Sequence, residues 1–301
     1  MIMARKTFHV ISWGGLGDVL LSTPTLYSLK KQDPTCRIVV YCVVKRHQEV
    51  YQHNPDVDRI TDISFIKNPW PFICYYLKWT KFYHFSYGQL FPSLFYKKKA
   101  ARLIAEEIFG TTLEDDKIRV YLTEKEEKWA REQLAPYKNP VIIHISSIAS
   151  KNQEWPVDYW NKLISEMPEY TFIQLGVATE NQVDKAIDFR GRTTFREAMA
   201  IIKNAKSFVG VVSSFSHATN AFDTPGVVLF GASAVEVWGH PNNINLFKGL
   251  SCAPCIDRLE KSPCPYDKQC MTGISVEEVK HALLKQLNKS MHYHGESVLQ
   301  D

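Results

Sequence analysis

The chain is poor in the features that would place it in a membrane, outside the cell or on nucleic acid. No apolar run reaches the roughly 18 residues that a membrane-spanning helix needs. The first apolar stretch, Phe8 to Trp13, is broken by Gly14 and Gly15 and lacks a small-residue cleavage site, so no secretory leader is expected. Net charge is only +4 over 301 residues, too mild by itself to argue for a nucleic-acid partner. No short-period repeat is visible. A cytoplasmic location follows as the expectation, and in that reducing setting the seven cysteines read as free thiols or metal ligands rather than disulfides. Apolar residues at 45% and charged residues at 23% are those of a globular chain, and the length suits two domains.

One more absence is informative. Phe8 to Trp13 reads as a strand, Gly14-Gly15-Leu16-Gly17 as a tight turn, and the following residues through Leu29 as a helix with Asp18 at its mouth. This resembles a dinucleotide-binding turn, yet Leu20 stands at the third glycine position. The second strand, Ile38–Val44, contains Val44 and leads into Lys45-Arg46 instead of the acid that would hold a ribose. A nicotinamide dehydrogenase is thereby disfavoured. Asp18 is left either as a helix cap or as a carboxylate placed for chemistry.

Strand, helix and strand over residues 8–44 form a βαβ unit, which demands a parallel sheet covered by helices. Phe65 to Ala100 holds many aromatics and lysines and no acidic residue. Two readings stay open: a surface resting on an anionic membrane face, or buried helices with snorkelling lysines. Thr123 to Leu134 reads as a charged surface helix and residues 135–140 as a linker. A second α/β domain follows, with strands at 141–145, 171–175, 207–212 and 226–230 and helices at 156–166, 195–204 and 217–222. The expected domains are thus 1–136 and 137–301.

Two loops of the second domain follow strands and carry phosphate-binding chemistry: Ser146-Ser147-Ile148-Ala149-Ser150-Lys151 and Ser213-Ser214-Phe215-Ser216-His217. Beside a ligand contact, His217 suits a helix cap or a packed core position about equally. Near the end, Cys252, Cys255, Cys264 and Cys270 have the C-x2-C and C-x5-C spacings of a closed four-thiolate site for structural zinc or iron, within a loop spanning 252–270.

Three blocks together resemble glycosyltransferase family 9, which includes the heptosyltransferases of lipopolysaccharide core assembly. They are Gly15 through Pro24 with Leu26, Leu29 and Lys30; Trp155-Pro156 with Tyr159-Trp160 and Leu163; and Gly210 through His217 with Pro225 through Gly231. The resemblance implies an α/β GT-B architecture of two Rossmann-like domains facing across a cleft, acceptor on the first and nucleotide sugar on the second. It implies an inverting, metal-independent transferase in which Asp18 is the general base. Gly15, Gly17, Ser147, Lys151, Gly176, Ser213, Ser214 and His217 are the expected nucleotide-sugar contacts. The implied donor is a nucleoside diphosphate sugar, ADP-heptose, and the implied acceptor a glycan or lipid-linked saccharide of the bacterial envelope, with peripheral inner-membrane contact. No cofactor is expected for catalysis and no nucleic acid as partner. Characterised members often carry Asp where this chain has Val212-Ser213-Ser214, and Lys where it has Gln153. Those departures keep a non-catalytic nucleotide- or glycan-binding relative as the alternative.

Overall fold

Thr7–Ser12 forms strand β1, with Phe8, Val10 and Ile11 buried. Arg37–Cys42 (β2), Arg59–Asp62 (β3) and Phe82–His84 (β4) complete a parallel sheet in the order β3-β2-β1-β4. The computed structural model describes residues 5–66, 82–84, 96–259 and 263–295, so most of the aromatic and basic stretch between Phe65 and Ala100 lies outside the described residues.

Helix α1, Leu16–Gln32, joins β1 to β2. Pro24 sits well past its first turn, where a proline removes the N–H that would bond the Leu20 carbonyl. The Thr23 hydroxyl replaces that donor, bonding Leu20 O at 2.8 Å, and also accepts the Arg119 N–H at 2.9 Å. The helix therefore runs on without an orphaned carbonyl.

The second sheet is built from β5 (Pro140–His144), β6 (Thr171–Gln174), β7 (Ile187–Asp188), β8 (Ser207–Val211), β9 (Gly226–Phe230) and β10 (Asn243–Phe247). All pairings are parallel, in the order β10-β9-β8-β5-β6-β7. With β5 and β8 adjacent near the middle, the loops after β5, β6, β8 and β9 gather along one edge of the sheet, where open parallel sheets bind ligands. Trp155, Trp160, Leu163, Val209, Leu229 and Leu283 belong to the core of this unit.

The chain divides into units Met1–Thr123 and Glu124–Asp301. That places the boundary ahead of residue 136. Helix α2, Glu124–Leu134, belongs to the second unit because its acidic face meets a later helix, α4, Phe195–Asn204. Arg196 lies against Glu126 at 2.5 and 2.8 Å, and Lys203 reaches Glu127 at 2.6 Å. Between them in sequence lies α3, Val157–Ser165. A capping box starts α4: Glu197 N–H donates to Thr194 Oγ1 at 3.2 Å and Thr194 N–H to Glu197 Oε2 at 2.7 Å. Helices α5 (Ser214–Phe222) and α6 (Val276–Gly295) follow. Among the described residues no helix is long and apolar enough to cross a membrane.

Candidate active site

In the first unit the β1–α1 turn depends on one glycine. Gly14 has φ 93°, and a Cβ there would stand 2.6 Å from Asp18 Oδ2. Gly15 is the residue before the helix, and its N–H donates to Asp18 Oδ2 at 2.8 Å. The carboxylate is thus held at the helix mouth by a capping bond, with Gly17 inside the first turn. Beneath the turn, buried His47 contacts Ser12 through Nδ1, at 2.9 Å to Oγ and 3.1 Å to the carbonyl.

The second unit brings together residues that lie far apart in the sequence. His144, the last residue of β5, places Nδ1 at 3.0 Å from Ser213 Oγ and Nε2 at 3.5 Å from Glu180 Oε2. Its ring also meets Phe215 edge-on. Glu180 is drawn under Gly176, which has φ 149° and leaves no room for a Cβ beside the carboxylate. Glu180 Oε1 accepts the Val177 N–H at 3.2 Å, while buried Oε2 has no formed hydrogen bond. Burial pushes this carboxyl up, but the facing imidazole and the backbone N–H together hold it below its ordinary value. The result is a buried carboxylate with spare acceptor capacity.

Ser213 caps α5, which begins at Ser214, three residues earlier than the sequence suggested. Ser216 explains the shift: its hydroxyl bonds both the N–H and the carbonyl of Ser213, closing the first turn with polar side chains that apolar periodicity does not reveal. His217 is placed inside rather than at the helix mouth. Its ring is buried, with Nδ1 at 2.8 Å from His240 Nε2. Lys151 is 74% exposed and pairs with Glu154 at 2.7 Å. Ser147 is buried and bonded by Gln153 Nε2 at 2.9 Å.

Burial, reinforced by the neighbouring His240, drives the His217 pKa well below its usual 6.5. Folded His217 is neutral where the unfolded residue would take up a proton. Its contribution to stability is therefore complete above about pH 6.5 and lost as pH falls from there toward the depressed native value. Burial lowers His9 and His47 in the same direction. Thermal melts between about pH 7.5 and 5 should show the midpoint falling with acidification, with a shallower slope in His217→Gln. A flat profile would contradict this.

Burial first, then the other three thiols, push the Cys270 thiol of the cysteine loop up to about 11, so Cys252, Cys255 and Cys264 each stand within electrostatic reach of Cys270. Yet among the described residues no group of three or more His, Cys, Asp or Glu side chains is arranged to hold a metal ion. Cys255 and Cys270 are largely buried.

Sequence reasoning missed His144 and Glu180. A polar residue ending an apolar strand was the available signal for His144. Glu180 carried none, because its partner comes from a neighbouring strand.

Two parallel-sheet units of this kind, with a carboxylate at a glycine turn in one and a polar helix mouth in the other, match the GT-B class of glycosyltransferases. Residues 98–265, more than half of the chain, match the model of glycosyltransferase family 9 (heptosyltransferase), and the chain belongs to that family. A family 9 glycosyltransferase from Veillonella parvula has TM-score 0.73 at 16% identity, covering 96% of this chain and 99% of its own. E. coli ADP-heptose LPS heptosyltransferase II has TM-score 0.72 at 13% identity, covering 95% and 100%. The dodecameric iron-containing glycosyltransferase TibC of enterotoxigenic E. coli has TM-score 0.71 at 16% identity, covering 95% and 77%. Comparison with curated proteins gives no sequence match.

Proposed function

We propose that the chain is an inverting glycosyltransferase that moves heptose from ADP-heptose to a glycan acceptor of the bacterial envelope. The donor is held on the second unit and the acceptor on the first. The observation that carries the reading is the His144 cluster. It sets a helix mouth with the Ser213 and Ser214 hydroxyls, suited to a diphosphate, beside the buried Glu180 carboxylate, suited to accept from the hydroxyls of a sugar or ribose. A solved TibC relative in complex with ADP-D-beta-D-heptose supports the choice of donor.

The acceptor hydroxyl oxygen forms the new bond to the anomeric carbon as the bond from that carbon to the diphosphate oxygen breaks. Asp18 receives the hydroxyl proton, and ADP departs with the bonding pair. The N–H groups opening α5 and the nearby serine hydroxyls meet the charge that develops on the diphosphate. No metal takes part in this scheme. Gly176 leaves space for the Glu180 carboxylate.

Thermal-shift and calorimetric titrations with ADP, UDP, GDP and CDP test the reading. ADP should stabilise the protein selectively, by about 2.7 kcal/mol at a hundred times its Kd, and ADP-heptose should be consumed when an acceptor is supplied. A protein indifferent to all four nucleotides would sink it. Binding without turnover would favour the non-catalytic alternative, which Gln153, fully engaged with serines, keeps open.

A further inference from the structure

Gln153 sits at the loop edge of the second sheet, almost completely buried, and both ends of its amide are engaged. Nε2 donates to Ser147 Oγ at 2.9 Å, and Oε1 accepts from the Ser233 hydroxyl. Ser147 follows β5 and Ser233 follows β9; β8, whose end opens α5, lies between those strands in the sheet. The amide therefore ties the two loops on either side of the helix mouth.

The direction of these bonds fixes a proton. Ser233 gives its hydroxyl hydrogen to the amide oxygen, and the amide N–H occupies one lone pair of Ser147. Ser147 keeps its own hydrogen, and among the described residues no recorded bond uses it. Ser146 beside it differs, spending its proton on Glu154 Oε1 at 2.8 Å. Lys151, the cation of this loop, is turned to the surface and shares the same Glu154 oxygen. The donors on this wall are consequently neutral, and Ser147 is the one whose polarity is set from behind.

We propose that Gln153 is a positioning residue that fixes Ser147 as a one-way hydrogen-bond donor to the diphosphate of the donor substrate. The inference rests on the reading that the second unit holds a nucleoside diphosphate sugar. Gln153 acts through Ser147, so removing either residue has the same consequence, and removing both adds nothing. With the amide gone the Ser147 hydroxyl rotates freely and loses its aim. With the hydroxyl gone the amide has nothing to aim.

A double-variant cycle on the full-length protein, titrated with ADP and with adenosine, tests this. Ser147→Ala and Gln153→Met should each weaken ADP binding about tenfold, the size of one hydrogen bond to a charged group. The pair together should also cost about tenfold, and adenosine affinity should not change in any of the three. Unchanged ADP affinity in Ser147→Ala overturns the proposal. So do single losses that multiply to about a hundredfold in the double variant, or an equal loss for adenosine, each the mark of a merely structural role. If Gln153→Met fails to fold, Ser147→Ala with the two ligands decides alone. A wild-type protein that binds no nucleotide removes the underlying reading, and the inference with it.

Discussion

Asp18→Asn should lower turnover by about a hundredfold or more, while the protein melts at the wild-type temperature and binds ADP with unchanged affinity. The substitution is chosen for what it keeps. Asparagine is nearly isosteric with aspartate, and its side-chain oxygen can accept the Gly15 N–H that now reaches Asp18 Oδ2 at 2.8 Å, so the cap of α1 survives. Gly14 is undisturbed, because its tolerance of φ 93° and its closeness to position 18 depend on its own missing Cβ. What asparagine cannot do is take a proton from an attacking hydroxyl. General-base assistance contributes about 10² to 10⁴ in rate, so turnover alone should fall. The nucleotide contacts proposed for the second unit involve none of these atoms, which is why ADP affinity is the internal control. Turnover within a few fold of wild type would remove Asp18 from the chemistry and leave it a cap. Loss of turnover together with a lowered melting point would show that the turn had failed instead.

Asp18 was legible in the sequence because everything that positions it lies within five residues: the glycines, the helix start and the capping carboxylate. The same locality made β1, β2, β6, β8 and β9 readable to within a few residues, since apolar runs bounded by turn residues carry their own signal. The edge strands β3 and β10 were not read. Their residues are only partly buried, so their patterns are mixed. The boundary between the units was misread for a related reason. Glu126 and Glu127 look like solvated charge until Arg196 and Lys203, some seventy residues on, are folded against them. The contact between His217 and His240, twenty-three residues on, was likewise not visible in the sequence. Glu180 and His144 were hidden because their partners come from other strands and loops, and Gln153 was visible only as a departure because Ser233, which holds its other end, lies eighty residues on. A parallel sheet makes neighbours of residues whose separation in sequence says nothing about their contact.

Trp155→Ala should be the most damaging core substitution among the residues that carry the family resemblance, destabilising the second unit by about 4 kcal/mol or more. Trp155 is 2% exposed, its indole edge-on to Trp160 at 4.9 Å between ring centroids and to Tyr159 at 5.4 Å. Its indole N–H donates to the Ile274 carbonyl at 2.9 Å, tying the loop after β5 to the segment that precedes α6. Truncation loses about 3–5 kcal/mol of burial and packing, and the stranded carbonyl adds about 1–3 kcal/mol unless water reaches it. Against the 5–15 kcal/mol typical of a whole domain, that is enough to populate the unfolded unit near room temperature. Trp155→Phe separates the two terms: it keeps most of the ring and loses only the hydrogen bond, so its cost should be about 1–3 kcal/mol. Urea unfolding followed through the second unit measures both, and a cost below about 1 kcal/mol for the alanine variant would contradict the assignment. The Trp-Pro pair is thus recognisable in the sequence for an architectural reason. It anchors to the core the short helical turn Lys151–Gln153, and with it the amide that reaches Ser147. Trp155→Ala should therefore weaken ADP binding as well as stability, and Trp155→Phe, which preserves the anchor, should leave ADP affinity close to wild type.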